Sequence, residues 1–232
     1  MSENIKKITK AFVVDLDSRE NQNIILKPST RPFNNQAHQV NEVVEKIAEL
    51  IKDAKHPNDD IILNHNKIKE AFFSPFKPQL KNAQVFLSHS HADKNKALKV
   101  KNYLESKTNH RVFIDSLFWD YKDDVLNELE KYDNTSKIED AFTLILRESL
   151  QDMIEKCPYF VFLQSNNSVS NQGLSCITYS AWIYEELKIA HSIRESRPTP
   201  MMESWQVSHN ISPFLESLET ITLSKLSHII NS

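Results

Sequence analysis

Residues 85–93, Val-Phe-Leu-Ser-His-Ser-His-Ala-Asp, decide the fold that we predict for this chain. A short apolar run that passes directly into small polar residues and histidines is typical of a buried strand ending in a polar loop. A helical apolar spacing follows to about Lys107, and residues 111–115 and 159–163 repeat the apolar strand pattern farther along. This alternation of strands and helices predicts an α/β domain with a mostly parallel sheet and helices on both faces, because parallel strands need crossover connections.

Polar residues cluster wherever one of these predicted strands ends. The clusters are residues 88–93, 115–121 and 164–168. Ligands of open α/β sheets bind outside the carboxyl ends of the strands. We therefore expect a binding site at this edge of the sheet.

A further helix, predicted to begin at Ser180, carries the residues that complete this site. Serine is a good N-cap because its hydroxyl accepts a free backbone N–H, and no Gly or Pro interrupts the following residues. Trp182 and Glu186 are four residues apart, which predicts that they share one face, while an apolar stripe beginning at Ile183 packs inward. The predicted pocket is built from residues at these strand and helix ends: Ser88, His89, Asp115, Trp119, Ser180, Trp182 and Glu186.

Composition excludes several classes of protein. The chain has 232 residues, of which 40% are hydrophobic and 25% charged, so it has room for one sizeable core and a smaller appendage. A net charge of -3 disfavours a nucleic-acid partner. No apolar run reaches the ~20 residues of a membrane span, and the first ten residues lack the apolar core of a signal peptide. We expect a cytoplasmic protein, which agrees with its having only two cysteines, Cys157 and Cys176.

The single glycine, Gly173, excludes the glycine-rich nucleotide loops. Both the GxGxxG fingerprint and the GxxxxGK[ST] loop need several positions where only glycine lets the backbone approach phosphate. A kinase, a P-loop ATPase and a Rossmann dehydrogenase are therefore not expected. A nucleotide bound here would be held by side chains and helix starts.

Residues 1–80 are predicted to form a mainly helical extension, and residues 81–232 the α/β domain. Within the extension, residues 12–16 have the pattern of a short strand, and residues 39–54 and 61–73 that of two helices. No chemistry-bearing motif occurs there. We expect the extension to cap the following domain or to contact another protein.

Three motifs, taken in order, resemble a known family. They are residues 85–94 (VFLSHSHADK), residues 112–116 (VFIDS) followed by Trp119, and the Ser-x-Trp-x-x-x-Glu-Leu pattern that begins at Ser180. Together they resemble a bacterial Toll/interleukin-1 receptor (TIR) domain from about Ala83 to the C-terminus. The resemblance implies a flavodoxin-like fold.

In many bacterial and plant members of that family, the domain cleaves NAD at its nicotinamide–ribose bond. The resemblance therefore implies that Glu186 is the catalytic carboxylate, that Trp182 lines the pocket, and that NAD is a substrate with no separate cofactor. It also implies an NAD nucleosidase that acts in antiviral defence and becomes active on self-assembly. Some members release cyclised ADP-ribose, so ADP-ribosyl cyclase activity is a further expectation.

Two alternatives remain open on sequence alone. One is a TIR-like interaction and signalling module without catalysis, because the Trp182–Glu186 pattern also fits an ordinary amphipathic helix with a solvated carboxylate. The other is a metal-dependent hydrolase, because His89, His91 and Asp93 match the first part of an H-x-H-x-D-H metal motif. Lys94 replaces its final histidine, so we expect no metal.

Overall fold

A computed structural model describes residues 10–27, 40–53, 65–73, 83–116, 124–127, 136–172, 175–192 and 209–231. The chain divides into two compact units. The first comprises Met1–Phe33, Asn82–Ser116 and Gln151–Ser232. The second comprises Asn34–Lys81 and Leu117–Leu150.

Every strand in the part of the chain that the structure describes belongs to the first unit. In chain order they are β1 (Lys10–Asp15), β2 (Ala83–His89), β3 (Arg111–Ile114), β4 (Tyr159–Gln164), β5 (Ser170–Gln172), β6 (Ser175–Thr178), β7 (His209–Asn210) and β8 (Glu219–Thr220). Five of them form one sheet in the order β3-β2-β4-β1-β8, and every pairing in it is parallel. The other three form an antiparallel sheet in the order β5-β6-β7.

Helices connect these strands and also make up the described part of the second unit. They are α1 (Arg19–Ile25), α2 (Val40–Asp53), α3 (His65–Phe73), α4 (Lys94–Lys107), α5 (Ser136–Lys156), α6 (Ala181–Ser192), α7 (Ser212–Glu216) and α8 (Leu223–Asn231). A 3₁₀ turn, His91–Asp93, leads into α4. The prediction of an α/β protein with a parallel sheet flanked by helices is confirmed.

Aromatic side chains fill the centre of the parallel sheet. Phe86 on β2 stacks on Phe113 of β3 and on Phe160 of β4, with ring centroids 5.9 Å apart in both pairs. All three rings are buried. Because helices cover both faces of a parallel sheet, its strands read as continuous apolar runs, and this explains why β2, β3 and β4 were predictable from sequence.

Strand β1 corrects the predicted domain boundary at residue 80. It lies inside the five-stranded sheet, paired along its whole length with β4 on one side and, at Phe12 and Val13, with β8 on the other. Its residues 11–14 are all buried. Residues 10–27 therefore belong to the α/β unit and not to a separate helical extension. The apolar run predicted a strand, but nothing local predicts a parallel partner about 150 residues away.

The order of the strands places a topological switch point beside β2. If β2, β3 and β4 are numbered 1, 2 and 3, they stand side by side in the order 2-1-3. The chain therefore goes to one side of β2 for β3 and to the other side for β4. Crevices that bind ligands form at such points, outside the carboxyl ends of the strands. In this sheet the switch point lies at Ser88 and His89, which pair with Phe162 and Leu163 of β4.

The antiparallel sheet was not predicted. Strands β5 and β6 have few apolar residues, and such short polar strands have no clear two-residue period. Farther on, the predicted closing strand and helix within residues 211–230 correspond to β8 and α8. The edge strand predicted within residues 198–207 lies outside the described residues.

In the second unit, the described segments are helical. Helices α2 and α3 pack together, and they confirm the helices predicted for residues 39–54 and 61–73. Lys69 lies 3.7 Å from Glu148 on α5. Among the described helices, none has the length and apolar character needed to cross a membrane.

Candidate active site

Two neighbouring strands bring four polar residues to one edge of the parallel sheet. Ser88 and His89 are the last residues of β2, and Asp115 and Ser116 follow β3 directly. The backbone N–H of Asp115 still bonds the carbonyl of Leu87, 3.4 Å away, so the two strand ends stay in register. All four polar residues are buried, with 3% exposure or less. Buried polar groups need partners. Ser88 donates to α6 and Asp115 accepts from the Ser116 backbone, whereas the Ser116 hydroxyl has no hydrogen-bond partner among the described residues.

Helix α6 begins as the sequence predicts. The Ser180 hydroxyl accepts the backbone N–H of Ile183 at 3.3 Å, and the Ser180 carbonyl accepts that of Tyr184 at 3.1 Å. The Ser180 N–H in turn donates to the Thr178 hydroxyl at 3.2 Å. The predicted N-cap is confirmed, and the Ser180 hydroxyl fixes where α6 starts. That Ser180 also contacts a bound molecule stays a prediction.

Glu186 lies on the inward side of α6. Its exposure is 0%, and Ile183, Leu187 and Ala190 on the same helix are equally buried. Trp182 is only half-buried. The prediction that Glu186 sits with Trp182 on a face apart from the apolar stripe is therefore wrong. Helix periodicity predicts that a glutamate faces solvent, but Glu186 is buried because groups on other elements form hydrogen bonds with it.

The Glu186 carboxyl contacts both strand ends. Ser88 Oγ donates to Glu186 Oε2 at 2.5 Å, across 98 positions of sequence. A hydrogen bond also links the Glu186 and Asp115 side chains. Helix α6 thus contacts the ends of β2 and β3 through one side chain.

Asp115 is held from the other side by two nitrogen groups. His89 Nδ1 lies 2.5 Å from Asp115 Oδ1, and the backbone N–H of Ser116 donates to the same oxygen at 2.7 Å. Ser88, Glu186, Asp115 and His89 therefore form one continuous buried chain, which we call the acid chain. Of its members, α6 supplies one, the end of β2 supplies two, and the end of β3 supplies one.

Burial raises the pKa of Glu186 well above the ordinary value of 4.5. The negative charge of Asp115 raises this pKa further, as does the hydrogen bond to Asp115, and the Ser88 hydroxyl opposes both by stabilising the ionised form. Glu186 Oε1 is buried and has no N–H or O–H donor among the described residues. The Glu186 carboxyl is therefore buried with one oxygen bonded to Ser88, and its pKa is raised.

The structure therefore brings together four of the residues that were predicted to line a pocket. Ser88, His89, Asp115 and Glu186 come together, and Trp182 lies one helical turn before Glu186. Trp119 lies outside the described residues. The pairing of the two carboxyl groups was not foreseen, because the sequence places Asp115 on a strand end and Glu186 on a helix with no sign that they touch.

A second polar cluster braces the same edge of the sheet. Asp93 is buried and accepts hydrogen bonds from the Ser165 hydroxyl, from Asn167 Nδ2 at 3.0 Å and from Lys96 Nζ at 3.2 Å. Lys96 also lies 3.3 Å from Asp17 Oδ1. The loops that follow β1, β2 and β4 are therefore tied to one another. Burial by itself raises the pKa of Asp93, but these donors outweigh it and leave that pKa below the usual value.

The geometry does not favour the metal-dependent alternative. His91 is exposed on the 3₁₀ turn, while His89 is buried against Asp115. Asp93 is engaged by the Ser165, Asn167 and Lys96 donors. Across the part of the chain that the structure describes, no group of three or more His, Cys, Asp or Glu residues is arranged to hold a metal ion.

No protein-family model, curated protein or solved structure matches this chain. The acid chain and the edge of the sheet that carries it are therefore the features that point to a function.

Proposed function

We propose that the protein is an NAD nucleosidase of the TIR type, with Glu186 as its catalytic carboxylate. One observation carries the proposal: Glu186 contacts Ser88 and Asp115 at the carboxyl ends of adjacent parallel strands, beside the switch point of the sheet. This is where open α/β sheets bind ligands. A carboxyl with a perturbed pKa at such a place is a candidate for catalysis.

The strand order also supports the TIR-type assignment. A flavodoxin-like sheet has the order 2-1-3-4-5. With β2, β3 and β4 numbered 1, 2 and 3, this sheet begins in the order 2-1-3, and β1 and then β8 occupy the fourth and fifth positions. It matches a flavodoxin-like sheet whose fourth position is taken by the N-terminal strand.

A single carboxylate is sufficient for the proposed chemistry. The nicotinamide of NAD carries a positive charge, so it leaves as a neutral molecule when its bond to ribose breaks, and it takes the bonding electron pair with it. The ribose carbon is left with an oxocarbenium-like charge, which an ionised Glu186 beside it would stabilise. Water then bonds to that carbon and releases a proton, giving ADP-ribose. Attack by a nitrogen of the adenine ring of the same molecule, followed by loss of a proton from that ring, instead gives cyclised ADP-ribose.

Glu186 is closed off from solvent in this structure, so the proposed reaction requires an opened state. Trp182, one turn earlier on α6, is half-buried and stands nearer to solvent than Glu186 does. Its indole offers a flat surface on which a nicotinamide or adenine ring can stack. Opening on self-association would make the protein a latent enzyme, as expected for an effector in antiphage defence.

A second candidate function is the non-catalytic TIR-like interaction module. The complete burial of Glu186 favours it, because a carboxyl inside a hydrogen-bonded core can serve folding specificity alone. In that case the acid chain is a structural feature that positions α6 on the sheet. The two candidates differ in whether Glu186 ever meets a substrate.

The deciding experiment measures NAD loss and product formation by the purified protein at high concentration with a crowding agent. Wild type is compared with Glu186→Gln and with the matched control Glu185→Gln, whose carboxylate is the neighbouring, half-buried one. The proposal predicts NAD cleavage by wild type and by Glu185→Gln, and none by Glu186→Gln. Equal cleavage by Glu186→Gln would remove the catalytic assignment, and no cleavage by wild type at any concentration would favour the interaction module.

A further inference from the structure

We infer that Asp115 and His89 are positioning residues for Glu186: Asp115 shares a proton with the Glu186 carboxyl, and His89 holds Asp115 in place to do so. The inference rests on the proposed function, because it assigns roles in the same site. It changes the predicted role of both residues from contact with NAD to control of the carboxyl that acts on NAD.

Asp115 is fixed in position by two groups that approach one of its oxygens. His89 Nδ1 and the Ser116 N–H both approach Asp115 Oδ1, at 2.5 and 2.7 Å. The side chains of His89 and Asp115 are only 1% and 5% exposed, so water does not replace these contacts. The Ser116 N–H donates a hydrogen bond to this oxygen, whereas His89 Nδ1 lies in close contact with it outside hydrogen-bond geometry. Asp115 is therefore held as a hydrogen-bond acceptor.

Glu186 needs such an acceptor. Its Oε2 accepts from Ser88, but its Oε1 is buried without an N–H or O–H donor among the described residues. An ionised carboxylate oxygen left in this state is costly, because the lost hydration is not repaid. A proton on Glu186, donated to Asp115, removes that cost. The two carboxyl groups then share one proton, since two adjacent buried negative charges repel each other.

The groups that act on Glu186 come from the ends of β2 and β3 and from α6 itself. From β2 it meets the neutral hydroxyl of Ser88, with His89 behind Asp115, and from the end of β3 it meets the Asp115 charge. On α6 itself, the flanking Glu185 and the later Lys188 are half-buried. Asp115 is the only charged group that acts directly on Glu186 in the part of the chain described.

It follows that the closed site stores Glu186 in its inactive, neutral form. A protonated carboxyl cannot stabilise a developing positive charge, whereas a carboxylate can. Opening the site admits water and separates Glu186 from Asp115, and both changes favour loss of the proton. The same contact that holds α6 on the sheet thereby keeps the proposed enzyme silent until it opens.

The test replaces Asp115 by asparagine, which keeps the shape and removes the charge. The amide of Asp115→Asn donates to Glu186 and so favours its ionised form, and the acidic limb of the pH profile for NAD cleavage should move to lower pH by about one unit or more. The protonation of Glu186 is read independently by infrared spectroscopy. Wild type at neutral pH should show a carboxylic-acid carbonyl band that is absent in Glu186→Gln. As the pH is raised, this band should disappear at a lower pH in Asp115→Asn than in wild type. The control Glu185→Gln should change neither readout.

The second variant is His89→Gln, which keeps an N–H donor and removes the imidazole. If His89 only holds Asp115, this variant should keep the infrared band and the pH profile near those of wild type, and His89→Leu should shift both. Absence of the band in wild type, or a profile for Asp115→Asn that falls in height without moving along the pH axis, overturns the inference. An intact band without any NAD cleavage leaves the proton sharing standing and removes the proposed function, so the two failures are distinguishable.

Discussion

Two substitutions of Glu186 should have opposite effects on stability. In Glu186→Gln the shape is retained, the amide carbonyl accepts from Ser88, and the amide NH₂ donates to Asp115 in place of the carboxyl proton. The variant therefore mimics the protonated acid. We expect its free energy of unfolding at mildly acidic pH to lie within about 1 kcal/mol of wild type, because every contact of the acid chain is replaced by one of the same kind.

Glu186→Ala removes the same contacts without replacement. Ser88 and Asp115 each lose a buried partner, at about 1–3 kcal/mol per group left unsatisfied, and the missing side chain leaves a cavity at a position with 0% exposure. Relief of the burial cost of the acid offsets part of this loss. We expect a net loss of about 2–4 kcal/mol, a large share of the ~5–15 kcal/mol by which a domain is stable.

Urea unfolding followed by far-ultraviolet circular dichroism measures the difference. With a urea dependence of about 2 kcal/mol per molar, Glu186→Ala should unfold about 1–2 M earlier than wild type, and Glu186→Gln should unfold close to it. Equal and large losses in both variants would show that Glu186 is ionised in the native state. A neutral effect of Glu186→Ala would show that the carboxyl is not buried against Ser88 and Asp115.

Four further predictions concern pH, the second polar cluster and the pocket. Native Glu186 keeps a proton that the unfolded chain releases above pH 4.5. The free energy of unfolding of wild type relative to Glu186→Gln should therefore fall by about 1.4 kcal/mol per pH unit above that value, until the raised pKa is reached. Urea unfolding at several pH values measures this fall. Asp93→Asn should lower the free energy of unfolding by about 1–3 kcal/mol at neutral pH. Because the folded pKa of Asp93 lies below 3.8, this loss should shrink as pH falls through that range. Glu219→Gln, which breaks an exposed ion pair, should lower the free energy of unfolding by under about 1 kcal/mol in the same assay. Ser88→Ala removes the donor that favours ionised Glu186, so it should raise the pKa of that carboxyl and move the acidic limb of NAD cleavage to higher pH, and an unmoved limb would contradict the reading of this contact. Trp182→Ala should lower kcat/KM for NAD by about tenfold, equivalent to about 1.4 kcal/mol of lost stacking, while Trp182→Phe should lose less; equal rates in all three proteins would remove the indole from the pocket.

Local signals in the sequence were enough to predict most elements near the site. The N-cap at Ser180 and the absence of helix breakers predicted the start of α6, and the apolar runs in β2, β3 and β4 predicted their parallel arrangement. These signals depend on neighbours within one turn or one strand. They therefore do not require knowledge of the tertiary fold.

The acid chain was predictable only in part. The rule that strand ends converge brought Ser88 and Asp115 to one edge, but it did not show that Glu186 would be buried between them. Burial of a carboxyl depends on partners supplied by other elements, here 98 residues away in the case of Ser88. The position of β1 in the sheet was missed for a related reason, because parallel pairing is decided by contacts distant in the chain.

The central claim is that Glu186 is the carboxylate that cleaves NAD once the closed site opens. The most direct measurement is the NAD content of cells that express wild type or Glu186→Gln at matched soluble levels, under conditions that concentrate the protein. The account predicts NAD depletion with release of nicotinamide in wild type only. Depletion of equal extent with Glu186→Gln would contradict it.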